Sequence, residues 1–109
     1  MGYVVNGIEL ETDGEGYLLE PDYGKEVVEV IAAAECITLT DDHWKVVAYL
    51  RDEYREHGHT PNFRNLLKGL ADVLPDCDSK SLYELFPTGP AKQGAKVAGL
   101  PQPLGKGGY

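Results

Sequence analysis

The stretch from Thr40 to Gly58 constrains the fold most, because it carries one helix with both of its ends marked. Thr40 is a good N-cap, since its hydroxyl can accept a hydrogen bond from a first-turn backbone N–H. Asp41 and Asp42 follow, where carboxylates complement the positive end of the helix dipole. Trp44, Val47, Ala48, Arg51 and Tyr54 recur at helical spacing, with Leu50 widening the apolar face. Gly58 suits the left-handed position that ends a helix.

The other elements are shorter. Tyr3-Val4-Val5 and Ile8-Glu9-Leu10 flank Asn6-Gly7, a strong hairpin signal. Asp13-Gly14-Glu15-Gly16 predicts a turn, after which Tyr17-Leu18-Leu19 can add a third strand. A meander this small must pack on helices. Val27, Val28, Val30 and Ile31, with Ala32 to Ala34, predict a helix over about 25–36 that ends near Cys36. Thr60-Pro61 reads as a cap followed by an N1 proline, opening a helix that buries Phe63, Leu66, Leu67, Leu70, Ala71 and Leu74 and stops at Pro75. Ser79 is expected to cap a short helix ending at Phe86-Pro87. A last helix is predicted over about 90–97, weakened by Gly94. From Gly99 onward, prolines and glycines predict a mobile arm. The expected division is therefore a domain over 1–98 and an arm over 99–109.

The length of 109 residues allows one modest core, and the composition is that of a soluble globular protein. No apolar run approaches the roughly 20 residues of a membrane helix, and residues 1–20 carry acids where a signal peptide has bases, so a cytoplasmic location is expected. The net charge of −8 is uneven. All 18 acids lie at or before Glu84, whereas residues 85–109 hold Lys92, Lys96 and Lys106 and no acid. Such an acidic body repels phosphate backbones, which argues against nucleic-acid binding. The helix pair around Gly58-His59-Thr60-Pro61 has the outline of a helix-turn-helix, but any two packed helices with a short connection share it. No cysteine or histidine spacing predicts a zinc site, and no cofactor is expected.

Three ordered blocks carry a family resemblance. The last is Leu82-Tyr83-Glu84-Leu85-Phe86-Pro87-Thr88-Gly89-Pro90-Ala91-Lys92-Gln93, followed by Lys96-Val97-Ala98-Gly99-Leu100-Pro101-Gln102-Pro103. Upstream lie Asp13-Gly14-Glu15-Gly16-Tyr17-Leu18, and Asp42-His43-Trp44 with Tyr49-Leu50-Arg51-Asp52-Glu53-Tyr54. Together they resemble the DsrC/TusE family of sulfur-relay proteins along nearly the whole chain. The resemblance implies an α+β fold, with a small N-terminal antiparallel β-meander packed on about five helices and a C-terminal arm. It also implies sulfur-relay or sulfite-reductase proteins as partners. In the family, a cysteine near the end of the arm receives persulfide sulfur. The DsrC branch adds a second cysteine within the arm and presents it to dissimilatory sulfite reductase. The TusE branch passes sulfur towards thiolation of transfer RNA. A sulfur carrier needs a nucleophilic thiolate that can enter another protein's site. A Gly/Pro arm supplies reach, and adjoining lysines favour the anion.

This chain departs from that pattern at both reactive positions. Counted from Pro103, the terminal cysteine falls at Lys106 and the inner one at Ala95, and the chain runs on to Gly107-Gly108-Tyr109, slightly past the family's usual end. Neither side chain can hold a sulfane sulfur. Cys36 reads as a buried small hydrophobe at a helix end. Cys77 sits between Asp76 and Asp78, which disfavour its thiolate. His43 reads as structural, and His57 and His59 as surface residues at a helix end. Glu35, Asp41 and Asp42 read as capping or solvated charges, and Gly105, Gly107 and Gly108 match no phosphate loop. The expected function is therefore docking to sulfur-handling partners through Lys92, Gln93, Lys96, Leu100, Pro101 and Pro103, without catalysis and without carrying sulfur. A second reading is a carrier whose arm cysteines have been replaced, and a third is a DNA-binding regulator built on residues 41–74.

Overall fold

The computed structural model describes residues 2–75 and 78–101. It is an α+β fold in which one hairpin, β1 (Gly2–Val5) and β2 (Ile8–Glu11), precedes five helices. Asn6 and Gly7 both take positive φ, 53° and 80°, and close the two-residue turn that their sequence demands. The register pairs Val5 with Ile8 and Tyr3 with Leu10. The third strand of the expected meander reduces to a single bridge between Thr12 and Leu18. Its residues are diverted by the turn before it, where Asp13 Oδ1 accepts the backbone N–H groups of Glu15 (2.9 Å) and Tyr17 (3.1 Å).

Helix α1 spans Lys25–Ala34 and buries Val27, Val28, Ile31 and Ala32, partly against β1. It stops two residues earlier than its composition suggests, because Glu35 is the C-cap and Cys36 turns left-handed at φ 61°. Helix α2, Asp41–His57, has the expected ends: Thr40 caps it and Gly58 closes it at φ 77°. Its buried face is His43, Val46, Val47 and Leu50, rotated from the expected stripe, and Ala48 is exposed. The structure places a histidine at the head of that i, i+3, i+4, i+7 series, so its period is hidden from a count of apolar residues.

Helix α3 spans Phe63–Val73 and begins later than Thr60-Pro61 implies. Asn62 is the cap, its Oδ1 accepting from Asn65 N at 2.9 Å. Thr60 is instead buried, with its hydroxyl unpartnered. Gly69 lets the Tyr49 ring cross α3, since a Cβ there would overlap the tyrosine hydroxyl. Helix α4, Ser79–Leu85, is capped by Asp78 rather than Ser79, with Oδ1 accepting from Ser81 N at 2.9 Å.

Helix α5, Pro90–Val97, packs against α1, α2, α3 and α4. Its centrality explains Gly94, which weakens the isolated helix. A Cβ there would come within 3.0 Å of Leu50 Cδ1, so the glycine lets α5 lie close on α2. The chain stays packed through Leu100, two residues beyond the expected end of the domain at residue 98. Gly99 has φ 78°, and Leu100 is fully buried with its N–H on Ala95 O at 3.1 Å. Residues 102–109, the rest of the expected arm, lie outside the described residues. No described helix is long and apolar enough to cross a membrane.

Arg51 joins this end of the chain to the middle. Its guanidinium donates to Ala98 O (2.8 Å), Tyr23 O (2.8 Å), Asp22 O (3.0 Å) and Gly24 O (2.8 Å). Lysine cannot reproduce that planar fork. Arg51→Lys is expected to destabilise the fold by about 3 kcal/mol, given about 1.5–3 kcal/mol for each hydrogen bond to a charged donor. Urea unfolding checks this as a lower midpoint at unchanged m.

Candidate functional site around helix α5

Several of the residues singled out by the resemblance gather where α5 meets the end of α1. Ala95 faces the interior with no exposure, so its methyl group is a packing element. Gln93 is buried too. Its Nε2 donates to Glu35 Oε1 at 3.0 Å, and its Oε1 accepts from Thr88 N at 3.0 Å. Lys96 Nζ lies 3.6 Å from the other oxygen of Glu35 and 5.1 Å from the Tyr17 ring centroid. Glu35 is therefore a bridge between two helices and not the solvated charge that its sequence context suggests. The Tyr3 hydroxyl donates to Gly16 O at 2.9 Å and closes the group on the hairpin side.

Two docking assignments need correction. Gln93 and Leu100 are interior residues held by the protein's own contacts and offer no surface to a partner. Of the remaining positions, Lys92 is exposed, Lys96 and Pro101 are half-exposed, and Pro103 lies outside the described residues, as does Lys106. The family resemblance that marked these residues as one motif does not distinguish its inward members from its outward ones.

Cys36 is also corrected. It is exposed, one residue past the α1 C-cap, in a left-handed conformation that L side chains adopt at a cost. A helix ending in glutamate and cysteine gives no warning of this, because glycine is the usual signal for that geometry. Cys77 lies outside the described residues.

The histidines divide as their positions suggest. His43 Nδ1 accepts from Thr40 N at 3.0 Å, which leaves Nε2 to carry the proton and donate to Leu85 O at 2.9 Å. This completes a capping box and fastens α2 to the end of α4, with the ring edge-on to Phe86. His57 and His59 stack on the surface at 6.0 Å. Among the described residues, Glu53, Glu56 and His57 bring ligand atoms within 4.8 Å of one another on the solvent side of α2. Asp41 and Asp42 are exposed in the first turn.

The arrangement is one of anchoring. No thiol is present at Ala95, and the nearest base, Lys96, is engaged by Glu35. The comparisons with known proteins agree on what this scaffold is. A family model described as DsrC like protein matches residues 4–105. The chain belongs to the DsrC-like family. It is 46% identical over 102 residues to the sulfurtransferase TusE homolog of Haemophilus influenzae, covering 91% of this chain and 94% of that one. It is 45% identical over 104 residues to sulfurtransferase TusE of Escherichia coli K12, covering 93% and 95%. Among solved structures it is similar to the oxidized gamma subunit of dissimilatory sulfite reductase from Archaeoglobus fulgidus, with a TM-score of 0.83, 38% identity and coverage of 94% and 97%. DsrC from Allochromatium vinosum gives a TM-score of 0.83 at 40% identity, covering 93% of each chain.

Two measurements follow from the geometry. Cys36→Gly relieves the left-handed strain and is expected to stabilise the fold by up to about 1 kcal/mol, read by thermal or urea unfolding. Burial, followed by Glu15, Asp13 and Glu35, pushes the Tyr17 phenol up to about 12. Because the folded state keeps this proton longer than the unfolded chain, the contribution is complete below about pH 10 and is lost as pH rises towards 12. Tyr17→Phe is expected to remove one late ionisation from the tyrosinate absorbance titration, leaving the raised phenols of Tyr3 and Tyr49.

Proposed function

We propose that this chain acts within sulfur relay by docking to sulfur-handling proteins and not by carrying sulfur on its arm. The observation that carries this reading is Lys106, where the family resemblance puts the terminal cysteine, together with Ala95, a fully buried methyl where the DsrC branch puts its inner one. Family membership over residues 4–105 supports an inherited binding partner, and the anchoring of α5 supports an arm base held in a fixed position. Docking then falls to Lys92, Pro101, Pro103 and the exposed side of Lys96. Sulfur-relay or sulfite-reductase proteins are the partners to expect. The relatives at 45% and 46% identity are named sulfurtransferases, which is why the thiols need a direct test.

A second reading is favoured by the exposed thiol of Cys36: sulfur held on the body instead of the arm. Intact-mass measurement after incubation with a persulfide-forming relay enzyme separates the two. The docking reading expects no sulfur adduct and retained binding to a purified sulfur-relay or sulfite-reductase protein. Removal of residues 102–109 is expected to weaken that binding at least about tenfold, a loss of about 1.4 kcal/mol. The cut spares Leu100, which belongs to the core. A one-sulfur adduct on Cys36 or Cys77 that passes to a partner would replace docking with carriage.

A further inference from the structure

A cleft of about 550 Å³ opens beside β2. Glu9, Leu10 and Glu11 form one wall, and Leu19, Glu20 and Asp22 the other. Its shape follows from the hairpin register. Val5 and Ile8 close a two-residue turn and are a hydrogen-bonded pair, so Glu9 opposite Val4 is a non-bonded pair. The backbone N–H and C=O of Glu9 therefore point away from β1, towards the cleft side of the strand. The next outward carbonyl, on Glu11, accepts from Leu19 N at 3.2 Å. Beyond Leu19 the chain leaves the strand through Glu20-Pro21. Among the described residues no backbone group bonds to Glu9 along this edge. The sheet thus stops one step short of a third strand and leaves a slot where that strand would lie.

The lining says what fits the slot. Every charged residue on its walls is acidic: Glu9, Glu11, Glu20 and Asp22. Leu19 is 55% exposed and lies opposite Glu11, whereas Leu10 faces the other side of the sheet, towards the core. A second copy of this chain, with its net charge of −8, is repelled from such a surface. An extended segment with alternating apolar and basic side chains complements it at each contact. Its backbone pairs with Glu9, its cations fall on the face of Glu9 and Glu11, and its apolar side chains fall on the face of Leu10. The cleft also adjoins the arm base, because Asp22 N donates to Gly99 O at 2.8 Å. We infer that this cleft receives an extended, lysine- or arginine-bearing segment of a partner protein as an added strand on β2. The inference stands whether or not the protein carries sulfur.

The probe is a fluorescein-labelled hexapeptide of alternating valine and lysine, titrated against the full chain at physiological ionic strength. Saturable anisotropy is expected, with amide chemical-shift changes confined to residues 8–11 and 18–22 and centred on Glu9. Glu9→Lys combined with Glu20→Lys should weaken binding at least about tenfold, a loss of about 1.4 kcal/mol. Both positions are exposed, so the variant should keep its far-ultraviolet spectrum. A peptide N-methylated along its backbone keeps the charge but cannot pair with the strand. It should fail to bind the unaltered protein, and this arm of the test holds even if the variant misfolds. Absence of saturable binding, shifts spread over the other acidic surfaces, or equal binding of the N-methylated peptide would overturn the proposal.

Discussion

The Arg51 guanidinium is the constraint on which the rest of the arrangement depends. It reaches from the middle of α2 to the loop before α1 and to the last carbonyl before Gly99. Carbonyl acceptors serve here in place of an ion pair, and they suit a donor whose fork is fixed and whose charge persists on burial. Desolvation pulls the Arg51 pKa down from its ordinary value, and the Asp22 charge opposes that effect. Gly99 makes the approach possible, because a Cβ at that position would lie 2.6 Å from Asp22 O. One side chain and one missing side chain thereby hold Ala98 and Gly99 against the loop before α1.

Two further ties brace the helices around that anchor. Glu35 takes Gln93 and Lys96 together and fixes α5 to the end of α1, while His43 fixes the start of α2 to the end of α4. These contacts use no cysteine. Replacing the inner family cysteine by Ala95 therefore removes a reactive atom without removing any part of the polar framework.

Local chemistry made part of this legible in the sequence. The Asn6-Gly7 turn, the Thr40 cap and the Gly58 stop each depend on a few adjacent residues, and each stands where its residues put it. Where two caps compete within three positions, tertiary packing decides: Thr60 is drawn inward and Asn62 caps α3. The inward turn of Gln93 and Leu100 was not legible, since it arises from partners 58 residues away along the chain, as with Glu35, or from burial against helices. Cys36 was misread for a related reason. Its exposure is set by a left-handed backbone that its own residue type disfavours.

The position of Cys36 also separates two kinds of sulfur handling. A thiol on an arm is carried into a partner's active site, and the partner can keep that site recessed. A thiol at the end of α1 is fixed to the body beside Glu35, so a partner must bring its reacting sulfur out to it. The residues that anchor α5 sit next to that cysteine and would be crowded by any protein that approached it closely. Body-mounted transfer would therefore require a different partner surface from the one that receives an arm.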